Sequence, residues 1–284
     1  MATFTNQATL SYNGGVTNSN IVTGELVEVL SAVKTAVTDT YTPEDTVTYL
    51  IHIVNTGTVP YTGLTLTDDL GAYLLGEDKL VPLTYEDGSV KVFVNGVLQA
   101  APTVISAVPL IIDGITVPAG GITEVAYAAA INRYAPLATG GTIVNTATIS
   151  GARLTTPLTV TETITVAEAA RLSISKEISP TTVSENARLT YTFRIRNYGN
   201  TAATEVDNAV ISDTFDPRLS DLTVTYNGTP WTAGTDYVYD AETGIFTSVA
   251  GRVTVGAATF ATDPVSGAVA VTPGVGTLIV SGIV

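Results

Sequence analysis

Apolar and polar residues alternate along much of this chain. In Val47-Thr48-Tyr49-Leu50-Ile51-His52-Ile53, and again in Leu189-Thr190-Tyr191-Thr192-Phe193-Arg194-Ile195, every second side chain is apolar. A period of two is that of a strand with one buried face. Between such stretches stand turn signals: Asn95-Gly96, Asn227-Gly228, Asp87-Gly88 and Thr243-Gly244. Asn and Gly accept the left-handed backbone of tight hairpin turns at little cost. No stretch of ten or more residues shows a convincing helical period. The predicted class is all-β.

The pattern occurs twice. Thr48-Tyr49 with Asn55-Thr56-Gly57 matches Thr190-Tyr191 with Asn197-Tyr198-Gly199 at a shift of 142 residues (190 minus 48), and Lys34 matches Lys176 at the same shift. Thr65-Leu66-Thr67-Asp68 matches Val210-Ile211-Ser212-Asp213, and Val117-Pro118 and Thr272-Pro273 each precede a last apolar run, 122–131 and 277–284. Two copies of one β unit are simplest as two tandem immunoglobulin-like β-sandwiches. The expected division is an N-terminal donor strand at 1–12, a first sandwich at 13–168 and a second at 169–284, joined near Ala167-Glu168-Ala169-Ala170. Segments 13–30 and 151–168 hold equivalent places and read either as linkers or as extra sheet strands.

The ends of the two copies differ. The first closes with Thr142-Ile143-Val144-Asn145-Thr146-Ala147-Thr148-Ile149-Ser150, and the second stops short of that strand. Thr3-Phe4-Thr5-Asn6-Gln7-Ala8-Thr9-Leu10-Ser11 matches it at a constant shift of 139, with Thr, Asn, Ala, Thr and Ser identical. The beginning of the chain therefore reads as the closing strand of the unit at its other end. A sandwich short of one strand exposes an apolar groove and unpaired backbone. Strand and groove can meet within one chain or between chains. Between chains the contact is head-to-tail and propagates into a filament unless it closes into a ring. The interface expected from this reading is Phe4, Asn6, Ala8 and Leu10 on the donor, against Ile279 and Ile283 on the acceptor. The plainer alternative is an edge strand belonging to the first unit.

Alternation also sets three polar residues on apolar faces, in both copies. Lys34 shares a face with Leu30, Ala32 and Ala36, Asp68 with Leu64, Leu66 and Leu70, and Asn145 with Ile143, Ala147 and Ile149. Lys176 lies with Leu172, Ile174 and Ile178, Asp213 with Ala209, Ile211 and Phe215, and Asn6 with Phe4, Ala8 and Leu10. The chain has only four Lys, and two occupy these positions. Buried charge is costly, so a buried Lys tends to the neutral amine and a buried Asp to the acid. A neutral amine is a nucleophile, and a protonated Asp can polarise an amide and shuttle protons. The product would be a Lys–Asn isopeptide bond with loss of ammonia. The expected bonds run from Lys34 to Asn145, assisted by Asp68, and from Lys176 to Asn6 of a neighbouring chain, assisted by Asp213. A hydrogen-bonded Lys–Asp pair with a structural Asn and no covalent chemistry is the plainer alternative.

The order Lys, Asp, Asn along the strands is similar to that in the self-crosslinking domains of Gram-positive pili and adhesins. The run Lys34…Pro43-Glu44-Asp45-Thr46-Val47-Thr48-Tyr49…Asn55-Thr56-Gly57…Leu66-Thr67-Asp68, ending at Asn145-Thr146-Ala147, resembles the conserved-repeat domain of bacterial surface proteins, a family of unknown function. The second copy departs from it at Val183-Ser184-Glu185-Asn186 and at its end. The resemblance implies immunoglobulin-like units in tandem on cell or spore surfaces and no catalytic turnover. No sorting motif is visible near the C-terminus, and no basic-then-apolar leader is visible at Met1-Ala2-Thr3-Phe4-Thr5-Asn6.

Composition narrows the alternatives. The net charge of −14, with 12 Lys and Arg, opposes nucleic-acid binding. The absence of Cys excludes disulfides and thiol chemistry. No apolar run reaches the roughly 18–20 residues that span a bilayer. His52 is the single His and reads as a strand-surface residue. Glu44-Asp45, Asp68-Asp69, Glu77-Asp78 and Glu86-Asp87-Gly88 lack the spacing of a calcium loop and read as solvated turns. Trp231 is expected near a hairpin tip, covering a core edge rather than serving a carbohydrate. No cofactor or metal is expected, a hydrolase is remote, and the expected partner is a second copy of the chain. The competing reading is a monomeric surface adhesin with its ligand site on 72–90 or 227–245 and an unspecified surface ligand.

Overall fold

A computed structural model describes residues 2–284. The alternating stretches are strands, and one three-residue 3-10 turn, Glu205–Asp207, is the only helical element among the described residues. The Asn-Gly signals are left-handed turn pairs, with φ of 48° and 78° at Asn95-Gly96 and 50° and 81° at Asn227-Gly228. Among the described residues no helix is long and apolar enough to cross a membrane, which says nothing of strands.

The apolar faces collect into two cores. The first, from Leu30 to Val166, lies between two sheets. In one, Leu30–Ala36, Thr46–Asn55, Ile122–Ile131 and Lys91–Val94 are neighbours in that order. In the other, Leu110–Val117, Tyr61–Asp68, Thr142–Ser150 and Leu158–Val166 are neighbours. Thr142–Ser150 adds to the free edge of Tyr61–Asp68 with Ala147 opposite Asp68. Leu158–Val166 then pairs outside it and lies against Leu30–Ala36, burying Ile164 and Val166. These two strands together shut the first sandwich.

The second core, from Leu189 to Val280, repeats the plan with fewer strands. One sheet runs Leu172–Ser179, Arg188–Asn197, Gly274–Ile283, Ser220–Tyr226. Facing it are Ser212–Thr214, Ile245–Ser248 and Tyr237–Asp240. Asp213 pairs with Phe246 on one side. Among the described residues no strand pairs on its other side, where Thr142–Ser150 stands in the first unit. The strand carrying Lys176 is uncovered as well. Leu172, Ile174, Lys176 and Ile178 are exposed, whereas their counterparts Leu30 and Lys34 are buried and Ala32 and Ala36 half-buried.

Gly274–Ile283 has both edges occupied, by Arg188–Asn197 and Ser220–Tyr226. Its core-facing residues include Leu278 and Val280, so Ile279 and Ile283 point away from the core. The expectation that these two isoleucines line an acceptor groove is therefore corrected. The open backbone edge belongs to Ser212–Thr214.

The N-terminal segment is a ribbon. Ala2–Asn6 pairs with Val22–Leu26, and Thr9–Tyr12 with Gly15–Asn18, through a turn at Asn13-Gly14. Residues 15–26 thus run back along the first strand rather than into the first core. The ribbon presents Phe4 at 56% exposure and Leu10 at 62%. It does not occupy the open side of its own chain's second unit.

A hairpin of Thr259–Thr262 and Val269–Thr272 joins the units. It packs Phe260 and Val269 on the first core, and the Val269 N–H donates to the Arg133 carbonyl at 2.8 Å.

Candidate functional site

In the first unit the three expected residues meet in the core. Lys34, Asp68 and Asn145 are all at most 3% exposed. Lys34 Nζ donates to Asp68 Oδ2 at 2.6 Å, and the Tyr127 hydroxyl donates to the same oxygen at 2.6 Å. Asn145 Nδ2 donates to the Tyr127 hydroxyl at 3.0 Å. The other carboxylate oxygen, Asp68 Oδ1, accepts from the Leu70 N–H at 2.9 Å. Asn145 Oδ1 accepts from the Gly71 N–H at 3.2 Å. One polar chain therefore runs from amine to carboxylate to phenol to amide, walled by the stacked rings of Tyr49 and Tyr127 5.5 Å apart.

Local geometry explains how the amide is held. Leu70 and Gly71 both adopt left-handed backbone, at φ of 56° and 72°. That reversal turns the Gly71 N–H toward Asn145. A Cβ at Gly71 would lie 2.5 Å from Ile143 Cγ2, so only glycine fits.

The electrostatics favour a reactive amine. Burial pushes the Lys34 amine below its ordinary value, while Asp68 beside it works in the opposite direction. Burial pushes the Tyr127 phenol well up, so it stays protonated. Chemically the arrangement suits transamidation. Lys34 Nζ would attack Asn145 Cγ, and the Gly71 N–H would stabilise the negative charge developing on Oδ1. Asp68 Oδ2 would take the proton lost from Nζ. The Tyr127 hydroxyl, which here donates to Asp68 and accepts from Nδ2, would have to turn to donate to Nδ2 so that it leaves as ammonia.

Tyr127 is the residue that sequence reasoning missed. It occupies the inward position directly opposite Tyr49, and on an apolar face a Tyr reads as ordinary core. Tyr127→Phe keeps the ring stack and removes the relay. If Lys34 and Asn145 crosslink as proposed below, bond formation after refolding should slow about a hundredfold or more, followed as loss of one ammonia from the intact mass.

The second triad is incomplete within the chain. Lys176 and Asp213 form an ion pair, with Lys176 Nζ over the Tyr191 ring at 4.4 Å and the Phe215 ring at 5.6 Å. The Lys176 side chain is 41% exposed, against 0% for Lys34. Asn6 is not there. It pairs with Val22 in the ribbon. Val280 stands opposite Tyr191 where Tyr127 stands opposite Tyr49, so this unit has no phenol at that place.

The reading of Asp68-Asp69 as a solvated turn is corrected, since Asp68 is fully buried. The remaining candidates lie at the surface or at a core edge. His52 lies 3.2 Å from Glu124 across two strands. Trp231 stacks on Tyr226 at the edge of the second core. Among the described residues no group of three or more His, Cys, Asp or Glu could hold a metal ion.

No family model matches the chain, and no curated protein does. Several solved structures are similar to it. The pilus backbone of Streptococcus pneumoniae is 13% identical over 86% of this chain and 55% of its own length, with a TM-score of 0.34. The major pilin subunit of Bacillus cereus is 12% identical over 96% of this chain and 73% of its own, at 0.36. The collagen-binding domain of a Staphylococcus aureus adhesin is 14% identical over 50% of this chain and 99% of its own, at 0.29. The chain spans about half the length of the pneumococcal pilus backbone. Likeness of this degree carries no function across.

Proposed function

We propose that the chain is a structural subunit that assembles head-to-tail into a fibre on the outside of a cell or spore. The N-terminal strand of one copy completes the second sandwich of the next. One observation carries this reading. The motif Thr-x-x-Asn-x-Ala-Thr-x-Ser occurs at 142–150 and at 3–11. The first occurrence is a buried strand beside Asp68. The second lies bare, and the matching place beside Asp213 is open within these residues. Register follows from the match: Ala8 falls opposite Asp213, and Asn6 takes the place of Asn145 near Lys176. The surface location rests on the resemblance of the Lys34–Asn145 run to surface-protein repeats.

Isopeptide bonds are the covalent part of the proposal, Lys34 to Asn145 within a chain and Lys176 to Asn6 between chains. Mass spectrometry of assembled, fully unfolded protein tests them. The expected result is a ladder of covalent multimers, each subunit having lost the mass of one ammonia per bond. Unmodified monomer mass would exclude the bonds and leave strand donation standing.

A further inference from the structure

Each sandwich in this chain is entered in the same way. The Thr56 N–H donates to the Val29 carbonyl at 2.8 Å, and 142 residues later the Tyr198 N–H donates to the Arg171 carbonyl at 2.9 Å. Just before each entry the chain makes a strand and a return strand. Before Leu172 these are Thr142–Ser150 and Leu158–Val166, paired antiparallel. Before Leu30 they are Ala2–Asn6, continued by Thr9–Tyr12, and Val22–Leu26, which pairs antiparallel with Ala2–Asn6.

The open side of the second sandwich has two vacancies, and one strand fills only one of them. The first is the edge of Ser212–Thr214. The second is the bare face of Leu172, Ile174 and Ile178. In the first sandwich the equivalent face is covered by the return strand Leu158–Val166.

Resting on the strand-donation reading above, we infer that the donated element is the two-stranded ribbon: Val22–Leu26 of one copy covers the Lys176 strand of the next copy, as Leu158–Val166 covers the Lys34 strand.

The ribbon is built for this. Phe4 pairs with Gly24 and Asn6 with Val22, so Val22, Gly24 and Leu26 share the face of Phe4 and Asn6. Gly24 leaves room for the ring, since a Cβ there would lie 2.5 Å from Phe4 Cζ. Val22 and Leu26 are exposed at 54% and 44% in the single chain. Thr23 and Glu25 point the other way, to the side that stays in water. The subunit junction then repeats the junction inside the chain, and the fibre is a continuous row of like sandwiches.

The test uses full-length chains and the amount of sedimentable polymer. Val22→Asp with Leu26→Asp places charge on the face to be buried, and polymer should fall roughly tenfold or more. Val22→Ile with Leu26→Met should assemble as the parent does, as should Thr23→Asp. Since Val22 and Leu26 are exposed in the single chain, thermal unfolding of the two cores should not change. Phe4→Asp serves as the reference for the first strand. Normal assembly of the Asp double variant, with Phe4→Asp blocked, overturns the ribbon and spares strand donation. Normal assembly of Phe4→Asp overturns both.

Discussion

Removing residues 1–12 should abolish polymer and leave a folded, soluble chain. Neither core uses residues 2–12. The first core begins at Leu30 and the second at Leu189. The ribbon exposes most of its large apolar side chains, so the single chain loses little by its absence. In the proposed polymer the same side chains become buried. Fully burying a Phe or Leu side chain contributes about 1.5–3 kcal/mol each, and the strand also satisfies backbone groups along the open edge beside Asp213. Losing that surface removes the contact between subunits. Light scattering during concentration should show growth for the full chain and a flat trace for the truncated one, with matching thermal unfolding of the cores. A truncated chain that polymerises normally would mean the contact lies elsewhere.

Asp68→Ala carries the second large effect, inside the first unit. Asp68 accepts hydrogen bonds from Lys34, Tyr127 and the Leu70 N–H, and is fully buried. Its removal leaves a buried amine without a counter-charge and a phenol without an acceptor. Breaking one side of a buried pair costs about 3–5 kcal/mol. The same change removes the first step of the proton path, so the ammonia loss assigned to Lys34 and Asn145 should disappear from the intact mass. The two readouts separate covalent chemistry from simple pairing. If the parent itself shows no ammonia loss, Asp68→Ala still destabilises the core and the covalent assignment fails.

Much of this was legible in the chain because alternation is strict where one face is buried. The stretches 47–53 and 189–195 gave their strands directly, and the same rule put Lys34, Asp68 and Asn145 on inward faces. It failed where polarity does not mark a face. Leu278 to Ile283 reads Leu-Ile-Val-Ser-Gly-Ile, with apolar residues on both sides. The inward set there is decided by packing between Arg188–Asn197 and Ser220–Tyr226, not by local pattern. Tyr127 was silent because its ring is core and only its hydroxyl takes part in the polar chain. The return strand Val22–Leu26 contains a Gly and a Glu and has weak strand propensity. Its pairing with Ala2–Asn6 depends on the Asn13-Gly14 turn and on the space that Gly24 leaves for Phe4. The second triad was legible only as a correspondence between distant segments, since its Asn lies some 170 residues from its Lys.

Negative-stain electron microscopy of the purified full-length protein tests strand donation most directly. The account predicts thin unbranched filaments whose axial repeat matches two sandwiches. Dispersed single particles at every concentration and salt would contradict it.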